Sequence, residues 1–194
     1  MTALVFIVRT LFDLYLLTFA VRLLLQRGRL DTWNPLTQFV LRVTSPLVLP
    51  LRRVLPPVGR IDTATLAALF LLQLLATGIL LRLGCAGGVG PVNIVLGALL
   101  ALADLFLRVW FWTLLIHVVL SWVGQGGRDN PGAALVGTIA EPLLRPIRRV
   151  VPPIAGLDLS PLFALLALQA ARMLLPVELA VRGLACGGMA LPVV

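Results

Sequence analysis

Four long apolar stretches alternate along the chain with two segments whose apolar residues recur at helical spacing. The apolar stretches run from about Leu4 to Leu25, Ala64 to Leu81, Val92 to Val123 and Leu159 to Leu184. About twenty apolar residues form a helix long enough to cross a hydrocarbon core of roughly 30 Å, so each is read as a membrane-spanning helix. The third is longer than a span requires. Its pattern divides into a helical lead-in, Val92 to Ala103, and a span, Asp104 to Val123, with one tilted continuous helix as the alternative. The fourth is interrupted by Arg172, Pro176, Glu178 and Arg182, and Pro176 predicts a kink. Between the first two spans, Leu36, Phe39, Val40, Val43 and Leu47 share one helical face, opposite Thr37, Gln38, Arg42 and Thr44. This is the signature of a short amphipathic helix lying in the membrane surface. Asn34-Pro35 supplies an N-cap and a first-turn proline. Ser45-Pro46 repeats that signal, Pro50 limits the helix that follows, and Asp62 is placed to cap the second span.

The segment after the third span repeats this design. At a displacement of 96 positions, Asn34-Pro35 falls on Asn130-Pro131, Arg52-Arg53-Val54 on Arg148-Arg149-Val150, Asp62 on Asp158 and Gln73 on Gln169, without a gap. The matched residues are those with backbone or charge requirements, while the apolar ones between them drift. That pattern marks duplication of a supersecondary unit. Residues 1–90 and 91–194 are therefore read as two repeats, each a span, a surface module and a span. An even number of crossings per unit gives the repeats the same orientation, so the expected fold is an all-α membrane protein. It has four transmembrane helices in two parallel tandem repeats related by an axis along the membrane normal.

Composition agrees with this reading and narrows it. Hydrophobic residues make up 60% of the chain and charged residues 12%, with a mean hydropathy of +1.04, too little polar surface for a water-soluble domain. The net charge of +8 comes entirely from arginine. In so apolar a chain it points to orientation and anionic phospholipid headgroups, not to nucleic acid. Arg9 and Asp13 interrupt the first stretch and no basic region precedes it, so it is kept as a span and not read as a signal peptide. The connections after spans one and three are rich in arginine, whereas the one after span two carries only Arg82. The positive-inside rule then puts both modules in the cytoplasm and both termini outside.

Chemistry-bearing residues are few. No His/Cys/carboxylate cluster has metal-ligand spacing. Gly84, Gly87, Gly88 and Gly90 lack the Lys-Ser/Thr of a phosphate-binding loop, and Ser121 has no partner base. The expectation is a protein with no catalytic, cofactor-binding or metal-binding residues. His117 lies inside the third span; a hydrogen bond across helices is preferred over haem ligation or proton relay. Arg42, Arg52, Arg53, Arg145, Arg148 and Arg149 are candidates for binding lipid headgroups or a partner, and Asn34, Asp62, Asn130 and Asp158 for helix caps. Among the intramembrane polar residues, Gln73 and Gln169 are expected to pair across the repeat axis. Arg9 and Asp13 sit at nearly the same depth as Asp104 and Arg108 with the signs exchanged. Either the pairs close within each helix, or Arg9 meets Asp104 and Asp13 meets Arg108. Cys85 and Cys186 follow the second span of each repeat and are candidates for a disulfide on the outer face.

These residues resemble the YggT family of small bacterial membrane proteins. The marks include Asn34-Pro35-Leu36-Thr37-Gln38-Phe39-Val40, Pro50-Leu51-Arg52-Arg53-Val54-Leu55-Pro56, Ser121-Trp122-Val123-Gly124-Gln125-Gly126 and Glu141-Pro142-Leu143-Leu144-Arg145-Pro146. The glycine-rich stretch around Cys85 departs from the pattern. The resemblance implies a bacterial inner-membrane protein linked to osmotic stress tolerance or membrane organisation. The residues and the resemblance together favour a non-enzymatic scaffold or assembly factor. An oligomeric channel or transporter component for ions or osmolytes is the alternative. Anionic phospholipids, membrane protein partners and further copies of the chain are the expected partners.

Overall fold

The computed structural model describes residues 2–27, 33–57, 62–84, 90–123, 131–150 and 158–175. These contain six helices and, among the described residues, no strand: α1 (Thr2–Arg27), α2 (Pro35–Val54), α3 (Thr63–Gly84), α4 (Pro91–Val123), α5 (Pro131–Val150) and α6 (Ser160–Leu174). Two of them, α3 over Thr63–Arg82 and α4 over Pro91–Ser121, are long and apolar enough to cross a membrane. The 26-residue α1 carries Arg9, Asp13 and Arg22, and α6 extends over 15 described residues.

Two expected helix breaks do not occur. The stretch from Val92 to Val123 is one continuous helix of 33 residues, about 50 Å long. It contains no proline after Pro91, and Asp104, where the division was expected, pairs with Arg108 one turn on along the same helix (2.9 Å). Likewise α2 runs unbroken through Pro46 and Pro50, and α5 through Pro142 and Pro146. Each proline removes a backbone donor, but all four lie on exposed surface, where the freed carbonyls are open to other donors. In α2 the carbonyls so freed are those of Arg42 and Pro46, four residues before each proline.

The rotation of α2 also differs from the sequence pattern. Its packed face is Thr37, Val40, Thr44 and Val48, while Leu36 and Phe39 point outward. Two threonines assigned to the polar side are therefore in the interior, where Thr44 meets a buried arginine described below.

The core has two parts. Leu16, Phe19 and Leu25 of α1, Val48 of α2 and Leu69 of α3 form the larger, which extends to Leu105, Val109 and Ile139. Leu114, Ala140, Leu144, Ala164 and Leu168 knit α4, α5 and α6 into the smaller. Ala20, Ala64, Ala68 and Ala76 are almost completely buried in the larger part, and such small side chains let helices approach closely enough for dense packing.

Candidate functional site

The polar chemistry of the first half converges on Asp62, in the turn before α3. Its backbone carbonyl accepts from Leu66 N (3.0 Å) and its Oδ1 from Thr65 N (3.4 Å), so it caps α3 as the sequence predicts. The other carboxylate oxygen is shared among three helices. Oδ2 accepts from Arg52 Nη2 of α2 (2.5 Å), from Thr65 Oγ1 (2.7 Å) and from Gln26 Nε2 of α1 (3.1 Å). Arg22 of α1 lies 3.8 Å away and donates to Thr44 Oγ1 at 2.6 Å. Asp62 is 5% exposed and Arg22 4%. Burial works to raise the Asp62 carboxyl. The hydrogen bonds from Arg52, Thr65 and Gln26 and the Arg52 charge outweigh it and hold the group at about 2. A buried carboxylate thus ties α1, α2 and α3 together.

The second half carries the same contact at the same spacing in a more open setting. Arg148 Nε donates to Asp158 Oδ2 at 2.8 Å, with both side chains more than a third exposed. Arg148 also pairs with Glu141 (3.2 Å), which stands where the first half has Ser45, and Glu141 in turn takes Arg145 (3.3 Å). The Asp158 carboxyl is also held below its ordinary value; here too burial opposes the shift, and hydrogen bonds from Ser160 and Arg148 overcome it. Asp158 is not itself the cap of α6. That position is Leu159, and Asp158 accepts from Ser160 N (3.0 Å) from one residue outside it.

The six candidate arginines therefore divide. Arg52 and Arg148, themselves 43% and 38% exposed, engage Asp62 and Asp158, whereas Arg42, Arg53 and Arg149 are exposed and form no ion pair among the described residues. Arg145 is 72% exposed despite its pairing with Glu141. Asn34 accepts from Leu36 N (2.9 Å) as the cap of α2. Its Nδ2 donates to the carbonyl of Pro131 (2.6 Å), joining the first turns of α2 and α5.

The charged pairs of α1 and α4 fall out differently from the cross-repeat expectation. Arg9 meets Asp13 (4.0 Å) on α1, and Asp104 is taken by Arg108 of its own helix (2.9 Å) and by Arg172 of α6 (2.9 Å). Arg172, which falls on the buried Ala76 at the displacement of 96, is the nearer cross-helix partner, so Arg9 and Asp104 do not pair. Nor do Gln73 and Gln169 meet. Gln73 donates to Thr77 Oγ1 (3.2 Å) one turn on, and Gln169 is exposed. His117 is half-buried within the field of Arg148, Glu141 and Asp158. Its position on α4 matches that of Arg22 on α1 at the displacement of 95 that relates Arg9 to Asp104. No group of acidic, histidine or cysteine side chains among the described residues could hold a metal ion. Asn130, Cys85 and Cys186 lie outside the described residues.

Sequence reasoning missed Arg22, Gln26 and Thr44 as partners of this site. Arg22 resembles a residue snorkelling from a helix end. The available signal was Gln26 one turn after it, which places two polar side chains on one face of an otherwise apolar helix.

The sequence matches the CCB3/YggT family over residues 1–83 and again over 96–179. A curated relative from Pseudomonas aeruginosa, described as uncharacterized, is 47% identical over 89% of this chain and 88% of its own length. A protein from Vibrio alginolyticus, named for its position 3′ of proC, is 39% identical over 90% and 94%. YggT of Escherichia coli K12 is 36% identical over 89% of both chains. No solved structure matches. With matches of this extent, the chain belongs to the CCB3/YggT family.

Proposed function

We propose that this protein is a non-enzymatic scaffold or assembly factor of the bacterial inner membrane. In this reading α1, α3, α4 and α6 span the bilayer in two parallel repeats. The amphipathic helices α2 and α5 lie on its cytoplasmic surface, and both termini are outside. The supporting observation is the division of labour within each arginine pair. Arg52 and Arg148 fasten the C-terminal ends of α2 and α5 to the carboxylates that precede α3 and α6, while Arg53 and Arg149 remain exposed. A surface helix held in this way presents its outward arginines, with Arg42, to anionic headgroups or to an acidic membrane partner. The membrane-organising role and tolerance of osmotic stress that the resemblance implies would follow from such a platform.

The test reconstitutes the full chain in mixed phosphatidylcholine and phosphatidylglycerol nanodiscs and measures the phosphatidylglycerol that co-purifies. Arginines near an anionic surface contribute about 1 kcal/mol each. Arg53→Gln together with Arg149→Gln should therefore lower the preference for phosphatidylglycerol several-fold while leaving thermal stability unchanged. An unaltered lipid preference would contradict the headgroup role. Saturable solute flux through liposomes containing the purified chain would favour a channel or transporter component over a scaffold.

A further inference from the structure

We propose that copies of this chain associate head to tail in the membrane plane, the Arg9–Asp13 edge of α1 on one copy docking against the Asp104–Arg108 edge of α4 on the next. The inference rests on the reading of α1 and α4 as parallel spans.

Both helices carry the same row with inverted signs. On α1, Arg9, Asp13 and Leu17 follow one another at four-residue intervals; on α4, the row is Asp104, Arg108 and Trp112. Residues spaced this way share a helix face. The two rows also lie at the same level. Arg9 stands 18 residues before Arg27, where α1 ends, and Asp104 stands 19 before Val123, where α4 ends. The helices that follow, α2 and α5, meet at their first turns through Asn34 and Pro131.

Within one chain the rows do not meet, and each is left incompletely satisfied. The α1 pair is long, at 4.0 Å, with side chains 60% and 42% exposed. Around it Phe6, Ile7, Leu11 and Leu14 are also uncovered. Charged groups that face hydrocarbon are costly and are normally paired within a bundle. On α4 the imbalance is one of charge. Among the described residues, Arg108 and Arg172 share the single carboxylate of Asp104, leaving one surplus positive charge at a partly exposed seam between α4 and α6. The acid that seam lacks is Asp13 of a neighbouring copy, whose Arg9 then faces Asp104.

Charge complementarity also fixes the mode of association. A symmetric contact of α1 with α1 of another copy would set Arg9 beside Arg9 and Asp13 beside Asp13. Contact of α1 with α4 opposes unlike charges at both levels. Such an interface joins two different surfaces, so it propagates as a ring or a row.

The test uses two differently tagged populations of the full chain, both with Cys85→Ala and Cys186→Ala. One carries Leu17→Cys and the other Trp112→Cys. They are co-reconstituted in phosphatidylcholine–phosphatidylglycerol vesicles and oxidised with a membrane-permeant copper catalyst. The mixed disulfide is expected to exceed either same-site disulfide by about tenfold. Exchanging the α1 charges (Arg9→Asp with Asp13→Arg) keeps the pair within the helix and the net charge, and should lower the mixed yield by a similar factor. A mixed yield no greater than the same-site yields, or one indifferent to the exchange, overturns the proposal. Labelling with a water-soluble maleimide separates this outcome from failure of the span reading. Reaction at both introduced cysteines contradicts the spans, whereas protection without a mixed disulfide contradicts the docking alone.

Discussion

Replacing Asp62 by Asn should destabilise the protein far more than the same change at Asp158, although the two residues occupy matching positions. Asp62 and Arg22 are 5% and 4% exposed. Removing the acid leaves Arg22 a buried cation with Thr44 as its remaining hydrogen-bond partner. Breaking a buried pair by deleting one member costs about 3–5 kcal/mol. At Asp158 the side chains of the pair are 38% and 37% exposed and Arg148 retains Glu141 at 3.2 Å, so the loss should be under about 1 kcal/mol. The pH dependence gives a second measure. The Asp62 carboxyl falls from 3.8 to about 2 on folding, which corresponds to about 2–3 kcal/mol. Because the folded value is the lower one, this contribution is complete above about pH 4 and disappears as pH falls through about 2. The substitution should cost at least as much as titration, since both leave a neutral group beside Arg22 and the Asn amide also sets a donor among the donors that Asp62 accepts from. The assay is unfolding of the purified chain in mixed detergent micelles by titration with dodecyl sulfate, followed by helical circular dichroism, from pH 7 down to 3. Adding Arg22→Met to Asp62→Asn should recover part of the lost stability, because the stranded charge is then gone. Equal losses at Asp62 and Asp158, or a double variant as unstable as the sum of its parts, would refute the reasoning.

Other expected outcomes use the same titration. Asn34→Ala should cost about 1–2 kcal/mol, since it removes both the cap of α2 and the bond to Pro131. Asn34→Asp keeps the cap acceptor but loses the donor, so its own loss reports the link between α2 and α5, and the difference between the two variants reports the cap. Asp104→Asn should cost about 2–3 kcal/mol by depriving Arg108 and Arg172 of their shared carboxylate. Asp13→Asn, at a long pair that leaves a single cation without its acid, should cost less than Asp104→Asn, and the reverse order would contradict the assigned geometry.

What the sequence determined by itself is what local chemistry decides. Asn34 followed by Pro35 starts α2 where a cap and a first-turn proline require it, and Asp62 caps α3. The ten-residue spacing of Arg52 to Asp62 recurs in Arg148 to Asp158, but the sequence offered these arginines to headgroups or a partner, and that both pairs close came from the fold. The contacts Arg9 to Asp13 and Asp104 to Arg108 follow from four-residue spacing along one helix. Only the tertiary structure decided which helix faces met. It brought Arg22 and Gln26 of α1 to Asp62, turned Thr44 inward to receive Arg22, and gave Asp104 to Arg172 instead of Arg9. It also carried α4 without a break past Asp104. The reason is physical. A helix apolar on nearly every face has no stripe to fix its rotation, because each of its faces suits apolar surroundings almost equally. The rotation of α1, α3 and α4 is then set by how their few polar groups and small residues fit together, and those partners lie 22, 36 and 68 residues apart in the chain.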